Sequence, residues 1–137
     1  MRIKSIFGIL IAFLSFNSFA NQVEIFDKSI NLPKSCVLKA YLSINMSTHY
    51  WCHKQTSNNL KSVTFKNFDA NELAGIREQV ELVTYKEKKY GNLTSYEYQL
   101  SFLKPVHLYF LCDEKLCIAV SDQNSELYEF LKRQIVS

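Results

Sequence analysis

The pair Gly91–Asn92 lies between two stretches of alternating apolar and polar residues, 82–90 and 93–103. Glycine at the first central position of a two-residue loop is typical of a type II′ β-hairpin turn. So short a loop determines the register of both strands, because a slip of one residue would turn every side chain to the opposite face. The predicted register sets Tyr85 opposite Tyr98.

This register gives the hairpin one aromatic face and one polar face. The aromatic face carries Tyr85, Tyr96, Tyr98 and Phe102. We expect it to be core beneath a helix, and a ligand or carbohydrate platform is the alternative. The polar face carries Lys86, Lys88 and Glu97 and is expected to be a solvated surface.

Period-two alternation also marks the strands that precede this hairpin. We expect strands over residues 36–46, 49–55 and 62–68, with a turn at Ser47–Thr48 between the first two. Residues 106–112 and 117–121 are apolar at nearly every position, which is typical of strands covered on both faces. These two are therefore predicted to form a second hairpin at the centre of the sheet.

Two helices are expected. Asp69 and Glu72 have the spacing of a capping box, and Leu73, Ile76 and Val80 follow at helical spacing. The second helix is predicted over Glu126–Val136, with an apolar stripe of Leu127, Phe130, Leu131 and Ile135. The predicted fold class is α+β: a mostly antiparallel, twisted β-sheet of about six to seven strands with two helices packed on it.

Residues 1–20 have the layout of a secretory signal peptide, with Arg2 and Lys4 before an apolar run and small residues at Ser18 and Ala20. The run is shorter than the roughly 20 apolar residues of a membrane-spanning helix. We therefore expect residues 21–137 to form a single periplasmic or secreted domain, with no transmembrane segment after cleavage.

An even number of cysteines in an exported chain indicates disulfides. Cys112 and Cys117 enclose four residues at the end of the predicted central hairpin, so they are expected to pair. Elimination then pairs Cys36 with Cys52. A simple hairpin centred near Ser47 would instead set Cys52 opposite residues 41–42, so this second assignment depends on elimination alone.

Several functional classes lack their sequence signatures. Without the leader, fourteen Lys and Arg residues balance thirteen Asp and Glu residues, and no basic stripe indicates nucleic-acid binding. Phosphate-binding glycine loops, a Gly-x-Ser-x-Gly elbow and Cys-x-x-Cys are all absent. No cofactor is expected and no catalytic residue is assigned. An unrecognised hydrolase is a third functional class beside the two developed below.

The turn between Cys112 and Cys117 is the main candidate site. A disulfide at its base would hold Asp113, Glu114 and Lys115 in a fixed shape, which lowers the entropy lost on binding. This six-residue segment resembles one feature of the inhibitor-of-vertebrate-lysozyme family, whose disulfide-closed loop enters a lysozyme active site. That loop relies on a histidine, which residues 113–116 lack. The expected function is binding of another protein in the envelope or outside the cell, as an inhibitor, immunity protein or envelope accessory factor.

The alternative function is binding of a metal or another small ligand, through His49, His53 or His107. On a strand His49 and His53 would stand roughly 13 Å apart, too far to share one zinc ion. We therefore expect residues 49–53 to be ordinary strand residues. A metal or copper site and a binding surface around Trp51 are the two other possibilities.

The leader makes a direct prediction about the native protein. Cleavage after Ala20 leaves a chain that begins at Asn21, and intact-mass measurement of protein from its natural source should find that species. A soluble cytoplasmic form that retains Met1 would contradict export.

Overall fold

The computed structural model describes residues 22–42, 47–52, 61–78, 83–100 and 106–136. Along the chain the elements are β1 (Gln22–Ile25), β2 (Lys28–Asn31), β3 (Cys36–Leu42), β4 (Ser47–Cys52), β5 (Lys61–Asn67), α1 (Ala70–Glu78), β6 (Val83–Tyr90), β7 (Leu93–Leu100), β8 (Val106–Cys112), β9 (Leu116–Asp122) and α2 (Glu126–Val136). The predicted leader, Val80, Phe102 and His53 lie outside the described residues. Neither helix has the length and apolar character needed to span a bilayer.

The main sheet has seven antiparallel strands in the order β3-β4-β5-β9-β8-β7-β6. Together with the two helices it confirms the predicted α+β class. Strand β9 occupies the fourth of seven positions and pairs with β8, so the apolar hairpin does lie at the centre. The predicted pairing of Tyr85 with Tyr98 is also observed, and Gly91 has the positive φ, 63°, that the turn requires.

A separate two-stranded sheet, β1–β2, was not predicted. Its turn consists of Phe26 and Asp27, with φ angles of 54° and 60°. Turns of this kind usually carry Gly or Asn, so the residues give no turn signal. Strands of four residues are also too short to show a clear period.

The predicted position of the turn between the first two long strands was wrong. Ser47 and Thr48 are the first two residues of β4, so they are strand and not turn. The alternation in the sequence continues past Leu42 without Gly or Pro and therefore does not mark the end of β3. Leu42 pairs with Ser47, the register shifts between Leu38 and Ala40, and Cys36 comes to lie opposite Cys52. Both predicted disulfides, Cys36–Cys52 and Cys112–Cys117, are present.

Each face of the sheet has its own helix and core. Helix α2 buries Leu127, Tyr128, Leu131 and Ile135 against Val63, Leu111, Ile118 and Val120. On the opposite face, Leu73 of α1 packs with Tyr98, Phe110 and the Cys112–Cys117 disulfide. The described aromatic residues of the hairpin face thus belong to this core, as expected: Tyr98 is buried, and Tyr85 and Tyr96 are half-buried against it. The predicted stripe of α2 needs one correction, because Phe130 is 39 % exposed and Tyr128 is buried.

A buried carboxylate connects β9 to the start of α2. Asp122 Oδ1 accepts a hydrogen bond from the backbone N–H of Asn124, whose own Oδ1 accepts one from the N–H of Glu126. The second of these bonds satisfies one of the backbone donors that a helix start leaves unpaired. The other carboxylate oxygen, Oδ2, lies 3.7 Å from Lys61 Nζ. The end of the central strand therefore determines where α2 begins.

Two tyrosines, one in each core, differ in how their hydroxyls are satisfied. Tyr98 and Tyr128 are both 1 % exposed. Tyr128 stacks on Tyr109 and shares a 2.5 Å hydrogen bond with the buried Ser95 hydroxyl. The Tyr98 hydroxyl has no hydrogen-bond partner within the described ranges. Burial disfavours its ionised form and raises the pKa of Tyr98 to about 12.

These tyrosines give a matched pair of substitutions. Tyr128→Phe leaves the Ser95 hydroxyl buried and unpaired, so we expect it to lower the free energy of unfolding by about 1 kcal/mol. Tyr98→Phe removes a hydroxyl that is already unpaired, so it should be neutral or slightly stabilising. Urea unfolding of both variants at neutral pH measures the difference. A larger loss for Tyr98→Phe than for Tyr128→Phe would show that the Tyr98 hydroxyl is paired.

Candidate functional site

The predicted binding loop is a tight turn at one end of the central hairpin. Cys112 and Cys117 are directly opposed, with Cα atoms 4.1 Å apart, and both are buried. Their disulfide belongs to the core under α1. Residues 113–116, which we call the tip, project beyond it. The bridge therefore fastens the base of the tip to the protein interior.

Asp113 shapes the tip from within. Its Oδ1 accepts hydrogen bonds from the backbone N–H groups of Lys115 and Leu116, each at 2.7 Å. The backbone N–H of Asp113 donates to the Leu116 carbonyl at 3.0 Å. A short acidic side chain that bonds to its own turn is a common way to stabilise a chain reversal. Asp113, predicted as a partner contact, is thus a residue that positions the tip.

A third connection attaches the tip to the segment between β5 and α1. The backbone N–H of Phe68 donates to the Lys115 carbonyl at 2.7 Å. Phe68 itself packs against the α1-side core. The tip is therefore held by a disulfide, by its own hydrogen bonds and by a neighbouring loop. Its exposed side chains are an acid, a base and an apolar group: Glu114, Lys115 and Leu116.

Two more tight turns lie at the same end of the molecule. The turns at residues 26–27 and 91–92, together with Asp113 and the last residues of α2, line a cavity of about 460 Å³. Lys28 at its rim donates from Nζ to the Ile135 carbonyl at 2.6 Å, which satisfies one of the last carbonyls of the helix. We call the tip and these two turns the turn cluster. Sequence reasoning missed it because the β1–β2 hairpin was not predicted and because its three turns are far apart along the chain.

The β1–β2 turn at this end of the molecule has a strained backbone. Phe26 adopts a positive φ, which is costly for a bulky residue. Its side chain is half-buried against the α2-side core, and this packing offsets the strain. The turn cluster therefore has a defined shape on the β1–β2 side as well as at the tip.

The predicted histidine candidates do not come together in the described part of the chain. His49 is half-buried, and its ring nitrogens lie 3.1 Å from Ser47 Oγ and 2.9 Å from Thr64 Oγ1. His107 is on the other face of the sheet, stacked on Tyr109 in a polar cavity of about 290 Å³ that Lys86 and Glu97 also line. Over the described ranges no group of three or more His, Cys, Asp or Glu side chains is placed to hold a metal ion.

The comparisons with known proteins add no family. No family model matches the chain, and no curated protein or solved structure matches it significantly.

The rigidity of the tip can be tested at Asp113. Asp113→Ala removes the acceptor of two backbone hydrogen bonds, so we expect amide exchange to accelerate at Lys115 and Leu116. The free energy of unfolding should fall by about 1 kcal/mol. Glu114→Ala is the control, and an exposed substitution of this kind should stay within about 0.5 kcal/mol of the parent. Unchanged exchange rates in Asp113→Ala would mean that the disulfide alone holds the tip.

Proposed function

We propose that this protein is exported and acts by binding another protein through the turn cluster, with the tip at the centre of the contact. The compartment is inferred from the leader and from the two disulfides, which form and persist in oxidising surroundings. The predicted roles of inhibitor, immunity protein or envelope accessory factor all belong to this class.

The observation that carries the proposal is the way the tip is held. Binding orders flexible loops and side chains, and this ordering opposes association. The tip avoids most of that cost because its backbone is already constrained at Cys112, Asp113 and Lys115. A projecting, constrained turn fits the concave surface of a macromolecule better than it encloses a small ligand.

The composition of the exposed tip indicates the character of the partner surface. Glu114 and Lys115 have opposite charges, and Leu116 adds an apolar contact, 37 % exposed. Such a surface favours a partner of mixed polarity over a strongly charged one. Opposite charges at the rim of an interface contribute mainly to specificity and to the rate of association.

The test is capture of the partner by the full mature protein, followed by affinity measurement with the purified partner. We expect the double variant Glu114→Ala, Lys115→Ala to bind about tenfold more weakly or worse, because both tip charges are lost. Its stability should match the parent within about 0.5 kcal/mol.

Glu78→Ala with Lys89→Ala is the matched control. It also removes one exposed acid and one exposed base, and both positions are on other elements, α1 and β6. Binding that is equal for the tip variant and the control would contradict the proposal. So would a partner whose affinity falls only with the control.

A further inference from the structure

The sheet carries another concave surface, on the α1 face, away from both the turn cluster and the cavity beside His107. It is a cavity of about 450 Å³, which we call the trough. Two cross-strand rows form its floor. The residues of these rows that line it are Ser62, Ser121 and Leu108 in one row and His49, Thr64, Ala119 and Phe110 in the other. The side chain of Ile76 and the Lys66–Glu72 ion pair form the wall towards α1.

Side-chain size along these rows explains the trough. Large aromatic groups stand on β6, β7 and β8, where α1 covers them. At the next two strands, β9 and β5, the rows contain only Ala119, Ser121, Ser62 and Thr64. Beyond these small residues, Trp51 on β4 pairs with Ser62 and is large again. The small side chains therefore leave a depression between an aromatic core and an exposed indole.

Two hydroxyls in the trough are available to a ligand. Ser62 and Ser121 are directly opposed on neighbouring strands and are half-buried. Neither side chain makes a hydrogen bond within the described part of the chain, whereas Thr64 is engaged with His49. Each serine hydroxyl can both donate and accept. Partly desolvated, unpaired hydroxyls gain most from a ligand that offers hydroxyls of its own.

The trough offers little to an ionic ligand. Its oppositely charged side chains, Lys66 and Glu72, form an ion pair with each other. Lys66 also lies over the Phe110 ring, 5.5 Å from its centroid. Among the described residues that line the trough, these are the only Lys, Arg, Asp or Glu side chains, and each neutralises the other.

Trp51 offers an apolar platform beside the trough: it does not line the cavity itself, but it is the cross-strand neighbour of Ser62, which does. The residue is 42 % exposed, and Lys39 Nζ lies 4.7 Å from the ring centroid, over the indole. An indole offers a flat, apolar surface with a polar edge, suited to ligands that are apolar on one side and polar on the other. Trp51 on β4 and Leu108 on β8 lie three strand spacings apart, with β5 and β9 between them. This distance of about 14 Å is long enough for a ligand of several linked units.

From these observations we propose that the trough binds a neutral saccharide chain. Sugar rings would stack on Trp51, and their hydroxyls would bond to Ser62 and Ser121. The site has the size of known ligand pockets and combines apolar walls with a few polar groups. It is independent of the turn cluster, so either proposal can fail without the other.

Trp51 is the only tryptophan of the chain, so its fluorescence reports on this site alone. The experiment titrates the full mature protein with three neutral probes: maltotetraose, cellotetraose and the tetramer of N-acetylglucosamine. We expect a saturable change in emission with at least one of them. No saturable change with any of the three, checked by calorimetry, would overturn the proposal.

Variants then locate the binding. Ser62→Ala with Ser121→Ala keeps Trp51 and removes both free hydroxyls, and we expect about tenfold weaker binding of the active probe. Thr84→Ala is the control, since this exposed hydroxyl lies on the opposite face, and its affinity should equal that of the parent. Undiminished affinity in the double variant would overturn the assignment to the trough. Its folding is verified by an unchanged unfolding midpoint.

Discussion

The central strand β9 is the element on which the rest of the structure depends. It is hydrogen-bonded to β5 on one side and to β8 on the other, and each of its faces is covered by a different core. Ile118 and Val120 point to α2, whereas Cys117 and Ala119 belong to the α1 side. Because successive side chains of a strand alternate between faces, one short segment connects both halves of the protein.

Both proposed sites are consequences of this strand. Its first residues, Leu116 and Cys117, form one side of the tip. Because Cys117 is buried and bonded to Cys112, the tip is fixed to the buried part of the sheet. Two residues in its middle, Ala119 and Ser121, are small on the α1 face and open the trough. Its last residue, Asp122, directs the start of α2. A change in the register of β9 would therefore disturb the tip, the trough and the helix together.

The two edge strands of the sheet, β6 and β3, expose different kinds of side chain. Strand β6 ends the sheet with Lys86, Lys88 and Lys89, and charges of this kind discourage pairing with another chain. Strand β3 ends the other side and has exposed Val37, Leu38 and Tyr41. The Cys36–Cys52 bridge ties β3 to β4, and the irregular register near Lys39 twists the strand. One edge of the sheet is thus lined with charge, whereas the other is an exposed, partly apolar strand fixed to its inner neighbour by a covalent bond.

Local patterns in the sequence were sufficient for both helices, for the strands of the main sheet and for part of the tertiary structure, but not for the β1–β2 hairpin. Gly91–Asn92 determined the β6–β7 register because a two-residue loop allows one pairing, and the short spacing of Cys112 and Cys117 determined their bridge. The aromatic face was recognised as core because its residues alternate with polar ones. Residues 36–52 lacked such a marker, so the turn was misplaced and Cys36–Cys52 was reached by elimination alone.

Only the tertiary structure decided where distant residues meet. Cross-strand neighbours such as Ser62 and Ser121 are far apart along the chain, and no local pattern predicts that two small residues will adjoin. The same is true of the turn cluster, which joins residues near 26, 91 and 113. The sequence by itself determined the strands of the main sheet, the helices and one rigid turn, since these depend on neighbours along the chain. The concave surfaces depend on strand order and on side-chain size across the sheet, and both exist only once the seven strands have assembled.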